Sequence, residues 1–390
     1  MMLLTPMLSA LLSANAIAIP PQNARARVAF DGNGISATRA DGLADRATRR
    51  RVRVDDPVRI ASISKLAVAM GVMRLVEAGK LDLDRDVSAY LGWTLRNPGF
   101  AGTPVTLRQL LSHTAGVRDG AGYVLALDGD LPAHLMKTAT WDATHAPGNY
   151  FSYSNLNFGI AAAVMEGATG ERFDTLITRL VFAPLQLDAC FRWTQCSDRA
   201  VRRAVVLYRS TGVVAVDDLH GQRPACPGGA AKDGSCDLSR YVMARNGAFF
   251  GPQGSMRIGM RDLARLGMVL SGGKPGFLSP QSLKIMTTPL WRYDGSNGDI
   301  EGGIFCGYGL GVMILALPGR PPACRDDLFG DGRTRIGHAG EAYGLRSGLW
   351  IDPATRRGVA FFTSGVADDA PVGPRSAFNA VEEVMVAGDR

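Results

Sequence analysis

The sequence predicts an α/β (α+β) fold, in which an antiparallel sheet formed by N- and C-terminal strands is flanked by helices and carries an inserted, mainly helical domain. Strand patterns cluster near the two ends of the chain, and helical patterns dominate the residues between them. The predicted boundaries give an α/β domain from residues 19–95 and 300–390, and a helical domain with cysteine-containing loops from residues 96–299. A chain of 390 residues is long enough for domains of these sizes.

The N-terminal part contains a predicted hairpin followed by a buried helix. Residues 28–30 and 35–37 have strand patterns on either side of a turn with the sequence DGNG at residues 31–34. From Ser62 the chain is apolar on nearly every face of a helix, until Ala78 and Gly79 provide a C-terminal signal. A helix that is apolar all round is expected in the interior.

The middle of the chain shows further helical patterns, separated by turn-rich segments, at residues 107–112, 156–166, 173–182 and 262–270. Residues 221–236 and 294–311 are rich in glycine and predict loops. Towards the C-terminus, residues 345–351 and 358–363 predict strands around a turn, and residues 376–386 predict a final helix. Helices therefore dominate the centre of the sequence, and strands return at its end.

Composition and charge are those of a globular protein, with 46% hydrophobic and 20% charged residues, and they exclude a mostly solvated tail. The net charge of +7 comes from 43 basic and 36 acidic residues, spread thinly except for an arginine run at residues 49–53. Because nucleic-acid-binding proteins cluster more of their charge, no nucleic-acid partner is expected. The short run is interpreted as a solvated edge in preference to a phosphate site.

The N-terminus predicts an export signal at residues 1–18. An apolar stretch at residues 2–12 is followed by small residues and by two prolines, although no basic residue precedes Arg25. After removal of the signal, the protein is expected to be periplasmic or secreted; a disordered or membrane-tethered N-terminus is the alternative. No later segment has the about 18 uninterrupted apolar residues of a membrane-spanning helix, so no stable membrane anchor is expected in the mature form.

All six cysteines lie between residues 190 and 324, and their even number suits an oxidising compartment. Neighbours along the chain form three local pairs, each of which would close a short loop, although spacing alone leaves the connectivity open: Cys190 with Cys196, Cys226 with Cys236, and Cys306 with Cys324. No C-x-x-C or Cys/His spacing typical of a metal site is present, and no motif demands a cofactor.

A serine and a lysine lie three residues apart in the segment SISK at residues 62–65, and on a helix their side chains would be neighbours. This is the geometry of a nucleophile and its base, because burial disfavours the charged form of Lys65 and a helix N-terminus favours negative charge near Ser62. A helix-capping Ser62 with a solvent-reaching Lys65 is the alternative. A second match at residues 271–274 lies in a Gly-Gly turn, where helical neighbours cannot form.

Two later segments could contribute to the same chemistry. The sequence YFSYSN at residues 150–155 precedes a predicted helix, so Tyr153 and Asn155 lie on a loop that can present a phenol and an amide. The sequence GHAG at residues 337–340 precedes the C-terminal strands, and Gly340 would let backbone N–H groups approach a substrate. Taken alone, Tyr153 also fits a packed aromatic residue, and His338 also fits a hydrogen-bonded structural histidine.

With these three motifs in this order, the chain resembles the serine β-lactamase and penicillin-binding-protein superfamily, and within it the class C β-lactamase and related-esterase branch. The similarity covers roughly residues 25–388. The resemblance implies a β-lactamase-like fold and an acyl-enzyme mechanism, in which Ser62 attacks an acyl carbonyl and Asn155 orients the site. Lys65 and Tyr153 would share the proton transfers, either of them being the base.

The resemblance also implies an oxyanion hole from the backbone N–H groups of Ser62 and Glu341, and substrate contacts at His338 and Gly340. Class C β-lactamases carry Lys-Thr-Gly where this chain has His338-Ala339-Gly340. Since one charge-assisted hydrogen bond contributes about 1.5–3 kcal/mol, loss of the lysine and threonine disfavours recognition of the penicillin carboxylate.

The predicted function is therefore that of an exported serine hydrolase acting through a Ser62 acyl-enzyme on ester or amide (D-peptide-like) substrates. The partner would be a small molecule or a peptide, with no cofactor and no expectation for the oligomeric state. A class C-type β-lactamase or penicillin-binding DD-peptidase is the first alternative. A non-catalytic binding or scaffold homologue is the alternative from another class, although Ser62, Lys65, Tyr153 and Asn155 are all retained.

Overall fold

The fold was determined as a computed structural model that describes residues 19–388. The predicted signal peptide, residues 1–18, lies outside the described residues. The described chain forms a large antiparallel sheet packed against helices, which confirms the predicted fold class. The helices are α1 (Ser64–Glu77), α2 (Ser88–Leu91), α3 (Leu107–Leu111), α4 (Leu131–Leu135), α5 (Leu156–Thr169), α6 (Phe173–Ile177), α7 (Ala183–Leu185), α8 (Asp198–Arg202), α9 (Met260–Leu270), α10 (Pro280–Thr287) and α11 (Ala380–Ala387).

Fourteen strands are described, of which eight form the large sheet. They are β1 (Arg25–Asp31), β2 (Gly34–Asp41), β3 (Leu43–Asp45), β4 (Arg50–Arg51), β5 (Val58–Arg59), β6 (Leu207–Tyr208), β7 (Val214–Val216), β8 (Arg257–Ile258), β9 (Trp291–Arg292), β10 (Gly307–Tyr308), β11 (Met313–Leu315), β12 (Arg335–Ala342), β13 (Leu345–Asp352) and β14 (Arg357–Thr363). The order of the large sheet is β2-β1-β14-β13-β12-β11-β10-β9.

An N-terminal strand and a C-terminal strand pair with each other near one edge of this sheet. Strand β1 pairs antiparallel with β14 from Arg25 opposite Thr363 to Phe30 opposite Gly358, so the N-terminal hairpin continues the C-terminal strands. Strands β9 to β11 come from residues 291–315 and therefore begin before the predicted boundary at residue 300. The division into two domains stays a prediction.

Helices cover both faces of the central strands. On one face, Leu349 and Phe362 belong to the same buried cluster as the apolar residues of α9. On the other face, Trp350 and Phe361 pack with Met385 of α11. Strands β13 and β14 are consequently buried on both sides, which explains their nearly continuous apolar sequences.

Two element boundaries differ from the sequence prediction in ways that matter for the site. The helix predicted from Ser62 is a 3-10 turn at Ala61–Ile63 followed by α1, which begins at Ser64. The GHAG segment, expected just before the C-terminal strands, lies inside β12. The 3-10 turn and β12, which carry these motif residues, pack against each other. The final helix begins at Ala380, later than predicted.

The cysteines pair as their positions suggested. The Cα atoms are 5.2 Å apart for Cys190 and Cys196, 5.1 Å for Cys226 and Cys236, and 5.9 Å for Cys306 and Cys324. These separations are those of disulfide bonds. Across residues 19–388, none of the helices is long and apolar enough to cross a bilayer.

Gly337 provides a test of the close pairing between β12 and β13. Its φ of 154° is unfavourable for other residues, and a Cβ atom there would overlap the carbonyl oxygen of Leu349. We expect Gly337→Ala to lower the free energy of unfolding by about 2 kcal/mol or more, measured by urea denaturation. Gly102→Ala is the matched control, since its Cβ would meet no atom within 4 Å. Equal stabilities of the two variants would contradict the predicted overlap.

Candidate active site

Ser62 lies in a strained turn at the start of α1. The preceding residue, Ala61, has a φ of 50°, which side-chain-bearing residues rarely adopt. Ser64 stabilises this turn, because its hydroxyl donates to the Ala61 carbonyl oxygen at 2.6 Å and accepts from the Met256 N–H at 2.9 Å. Strain of this kind is common at functional sites, where surrounding contacts enforce it.

Lys65 is fully buried one turn further on, and its amine contacts three oxygen atoms. The Nζ atom lies 2.9 Å from Ser62 Oγ, 2.9 Å from Asn155 Oδ1 and 2.9 Å from the Gln253 carbonyl oxygen. Burial lowers the pKa of Lys65 to about 7, while the negative charges of Asp119 and Glu301 act in the opposite direction.

Both protonation states of the amine can make these contacts. The charged amine donates to all three oxygens, whereas the neutral amine donates to the Asn155 and Gln253 oxygens and can accept from the Ser62 hydroxyl. In its neutral form, the amine thus directs a nitrogen lone pair at the serine hydroxyl. The structure differs from the alternative of a capping serine and a solvent-reaching lysine, because Lys65 is buried and no side chain caps the N-terminus of the 3-10 turn or of α1.

Tyr153 covers this pair from the loop before α5. Its ring stacks on Phe305 with centroids 4.7 Å apart and lies 4.4 Å from the ring of His113, while Lys65 Nζ is 4.8 Å above it. Burial raises the pKa of Tyr153, and a hydrogen bond with Ser62 acts in the opposite direction. The phenol is consequently protonated at neutral pH and can donate a proton.

Asp119 holds the loop that carries Tyr153 and Asn155. Its carboxylate accepts hydrogen bonds from Ser154 Oγ (2.8 Å), the Asn155 N–H (2.8 Å), Asn155 Nδ2 (3.0 Å) and the Leu156 N–H (3.0 Å). This residue was not identified from the sequence, because its partners lie 35 to 37 positions away and no local pattern marks it. Its effect is to fix the Asn155 amide against Lys65.

A buried chain of three rings connects this loop to β12. His113 Nδ1 accepts from the Ser154 N–H at 3.1 Å, and His113 Nε2 lies 3.2 Å from Tyr308 Oη. Tyr308 Oη lies 2.8 Å from His338 Nε2, and His338 Nδ1 lies 2.6 Å from the Ala339 carbonyl oxygen. These partners assign the proton to Nε2 of His113 and to Nδ1 of His338. His113 then donates to Tyr308, and Tyr308 donates to His338.

His338 is therefore neutral, with both ring nitrogens occupied. Burial lowers its pKa to about 3, and the charge of Lys65 contributes in the same direction. These contacts fit the alternative prediction, in which His338 is a hydrogen-bonded structural histidine. The role of His338 in substrate binding stays a prediction.

An unpaired stretch of β12 faces Ser62. Strand β11 pairs with β12 only from Arg335 to Gly337 among the described residues, so the same edge is free from His338 to Ala342. A cavity of ≈ 590 Å³, here called the main pocket, lies along this edge and is lined by Ser62, Tyr153, Asn155 and residues 338–341. The predicted site residues thus converge on one cavity, with buried Lys65 directly behind Ser62.

Gly340 and Glu341 lie where this edge approaches the serine turn. A Cβ atom on Gly340 would overlap the carbonyl oxygen of Ile60, so only glycine allows the strand to come this close. The Glu341 side chain is exposed and forms an ion pair with Arg346. The role of its backbone N–H in an oxyanion hole stays a prediction. Within residues 19–388, no group of three or more His, Cys, Asp or Glu residues could hold a metal ion.

The chain is similar to proteins of one family along nearly its whole length. A sequence model of the Beta-lactamase family matches residues 24–382. Among curated relatives, esterase EstB of Burkholderia gladioli is 36% identical over 167 residues, which cover 39% of this chain and 42% of the esterase. The D-alanyl-D-alanine-carboxypeptidase/endopeptidase AmpH of Escherichia coli (strain K12) is 30% identical over 169 residues, 41% of this chain and 43% of that protein. Each match thus spans about two fifths of the relative's length.

Solved structures agree with the fold over a larger share of the chain. The D-amino acid amidase of Ochrobactrum anthropi SV3, complexed with L-phenylalanine, has a TM-score of 0.65 at 20% identity and covers 93% of this chain and 91% of its own. The octameric penicillin-binding protein homologue from Pyrococcus abyssi has a TM-score of 0.65 at 19% identity, covering 93% of this chain and 72% of its own. At sequence identities of 19% and 20%, the similarity to these two structures supports the fold alone.

The low pKa of His338 predicts how stability depends on pH. Because its folded-state pKa of about 3 lies below the ordinary value of 6.5, the unfolded chain takes up this proton first on acidification. The stability contributed by neutral His338 is complete above pH 6.5 and is lost as the pH falls toward 3. We expect His338→Gln to lose less stability between these limits, by about 1.4 kcal/mol per pH unit, in urea titrations.

The matched control is His220→Gln, since His220 is exposed in a loop. It should retain the loss of stability toward pH 3 that is attributed to His338. Parallel curves for His338→Gln and the unsubstituted protein would contradict the neutral state assigned to His338.

Proposed function

Because the chain belongs to the Beta-lactamase family, whose members are serine hydrolases, we propose that it hydrolyses ester or amide substrates through an acyl-enzyme on Ser62. The observation that carries this proposal is the contact of Ser62 Oγ with the buried amine of Lys65, whose pKa is about 7. An amine with this pKa is partly unprotonated at neutral pH and can accept the serine proton.

In acylation, the Lys65 amine takes the hydroxyl proton while Ser62 Oγ forms a bond to the substrate carbonyl carbon. The negative charge that develops on the carbonyl oxygen is met by the backbone N–H groups of Ser62 and Glu341. The bond to the leaving alcohol or amine then breaks, and the Tyr153 phenol supplies the proton that the leaving group needs. Proton return from Lys65 to Tyr153 restores the phenol.

In deacylation, water attacks the same carbonyl carbon and gives up a proton to the Lys65–Tyr153 pair. The Ser62 oxygen leaves as a hydroxyl, and the product acid departs. Asn155 contributes by accepting a hydrogen bond from Lys65, which directs the remaining lone pair of the amine at Ser62. Of the two candidate bases, we favour Lys65, because burial raises the pKa of Tyr153 and keeps the phenol protonated.

The third motif favours esters and amides over penicillins. A penicillin carboxylate needs a cation and a hydroxyl at this position, whereas His338 is neutral with both nitrogens engaged and Ala339 has no hydroxyl. We also propose that the protein is exported, since its three cysteine pairs suit an oxidising compartment.

The first test compares p-nitrophenyl butyrate with a chromogenic cephalosporin. We expect ester hydrolysis without rapid cephalosporin turnover, and we expect Ser62→Ala to abolish the ester activity. Ser271→Ala is the matched control, because Ser271 begins the second S-x-x-K match and lies at the end of α9, where its hydroxyl donates to the Met268 carbonyl oxygen. Unchanged hydrolysis by Ser62→Ala would refute the nucleophile, and rapid Ser62-dependent cephalosporin turnover would establish a β-lactamase instead.

A second test uses the pH dependence of kcat/KM. Since the neutral Lys65 amine is the proposed base, activity should fall as the pH drops through about 7. The negative charge of Asp119 raises the pKa of Lys65, so Asp119→Asn should move this limb to lower pH, besides lowering the rate. Asp128→Asn, in an exposed loop, is the control that should leave the midpoint in place. A midpoint that Asp119→Asn does not shift would refute Lys65 as the titrating base.

A further inference from the structure

A second cavity opens at Ser62 beside the main pocket. It has a volume of ≈ 390 Å³, and both cavities share Ser62, Asn155 and Glu341 in their linings. We call this second cavity the arginine pocket, because Arg59, Arg192 and Arg209 line it together with Gln253 and Tyr343. The main pocket is instead lined by the carboxylates of Asp119, Glu301, Asp368 and Glu382, and its Arg346 pairs with the shared Glu341. The two cavities on either side of the serine therefore differ in charge.

The arginines around this pocket outnumber the carboxylates that could neutralise them. The buried carboxylate of Asp217 is shared by Arg59 Nη2 at 3.0 Å and Arg257 Nη2 at 3.2 Å, and it also accepts from Trp193 Nε1 at 2.7 Å. The single negative charge of Asp217 thus compensates two arginines, and Arg192 adds a third positive charge. Grouping cations in this way is unfavourable unless an anion compensates.

Arg192 is the arginine of this group that has no ion-pair partner among the described residues. Within residues 19–388, its guanidinium forms no hydrogen bond or ion pair, its Nε atom is buried without a partner, and its aromatic contact is the ring of Phe249 at 5.5 Å. Burial and the charges of Arg257 and Arg59 lower its pKa to about 9, so it is still protonated at neutral pH. An unpaired guanidinium of this kind is a binding group for a carboxylate.

A second polar side chain in the same pocket also lacks a partner. Gln253 is 7% exposed, and its Oε1 atom is buried with no hydrogen bond in the described residues. Its backbone oxygen accepts from Lys65, so residue 253 is adjacent to the proposed base. The amide NH₂ group of this side chain is a hydrogen-bond donor that can meet the same anion as Arg192.

The position of Tyr153 indicates which part of the substrate enters the arginine pocket. Tyr153 lines the main pocket and is absent from the lining of the arginine pocket. The leaving group must lie near the phenol that protonates it, and it therefore occupies the main pocket. The acyl part, on the other side of the scissile bond, is directed toward Arg192.

From these contacts we propose that the arginine pocket binds a carboxylate carried by the acyl part of the substrate, with Arg192 as the specificity-determining residue. This inference rests on the proposed hydrolase function and names its substrate class: esters or amides of dicarboxylic or similarly anionic acids. The carboxylate lies in a different cavity from His338-Ala339-Gly340, so the unsuitability of that motif for an anion does not affect it.

The loop around Arg192 is held in place before any substrate arrives. The Cys190–Cys196 disulfide closes it, and Cys190 exchanges two backbone hydrogen bonds with Arg257, at 3.2 Å and 2.8 Å. Arg257 in turn donates to the Phe191 carbonyl oxygen at 2.5 Å. Fixing the backbone on both sides of Arg192 reduces the entropy that binding would otherwise cost.

The test compares 4-nitrophenyl hydrogen adipate with 4-nitrophenyl hexanoate, two esters with acyl chains of the same length that differ in a terminal carboxylate. The unsubstituted protein should have the higher kcat/KM for the adipate ester after subtraction of the uncatalysed rate. Arg192→Gln should reduce the adipate-to-hexanoate ratio by about tenfold to a hundredfold, the range for a lost charged hydrogen bond. The ratio is independent of the fraction of protein that folds.

Two further variants sharpen this comparison. Arg192→Lys, which keeps the charge, should retain most of the preference. Arg199→Gln removes an exposed arginine of α8 that lies outside the arginine pocket, and it should leave the ratio unchanged. Equal losses on both esters in Arg192→Gln would indicate a structural role and overturn the proposal.

Binding to the Ser62→Ala protein separates this inference from the proposed function. In titration calorimetry, adipate should bind more tightly than phosphate or acetate, and Arg192→Gln in the Ser62→Ala background should remove the binding. Phosphate binding as tight as adipate would indicate a general anion site and overturn the substrate assignment. If neither ester is hydrolysed, the proposed function fails, whereas this calorimetric comparison still decides whether the pocket selects a dicarboxylate.

Discussion

The burial of one amine is the constraint on which the rest of the site depends. Lys65 can remain in the interior only because three oxygen atoms meet its nitrogen, and these come from the turn before α1, the loop before α5 and residue 253. Displacing any of the three segments would leave a buried polar group unpaired. The requirement to satisfy this amine therefore fixes the relative positions of the segments. The same burial lowers the pKa of the amine, on which its proposed role as a base depends.

Two polar networks keep these segments in register with the sheet. The carboxylate of Asp119 gathers the hydrogen-bond donors at the start of α5, and the ring chain of His113, Tyr308 and His338 continues from that loop to β12. Both networks have their principal donors and acceptors matched, which allows polar groups inside an otherwise apolar core. Family membership accounts for the order of the motifs, while these contacts account for how this chain assembles them.

The sequence was most informative where structure depends on local pattern. The hairpin of β1 and β2, the strands β13 and β14 and the buried helix α1 follow from periodicity and turns. Residues of all three motifs line one cavity, while their roles stay predictions. Asp119 and Tyr308 could not be identified, because their partners are distant in sequence and neither residue belongs to a motif. Short strands such as β9 and β10 consist of two residues each, too few to produce a pattern. The charge contrast between the two cavities likewise appears only when Arg59, Arg192 and Arg257 come together.

The pairing of β1 with β14 has a consequence for biosynthesis. Gly340 closes over the Ile60–Ala61 backbone only when β12 is in place, and β12 belongs to a sheet that joins Arg25 to Thr363. During synthesis, Ser62 and Lys65 leave the ribosome long before Gly340 is translated, so the contact between Gly340 and the Ile60–Ala61 backbone forms late. The arrangement of Ser62 and Lys65 beneath Gly340 can therefore form only after β12 has been translated.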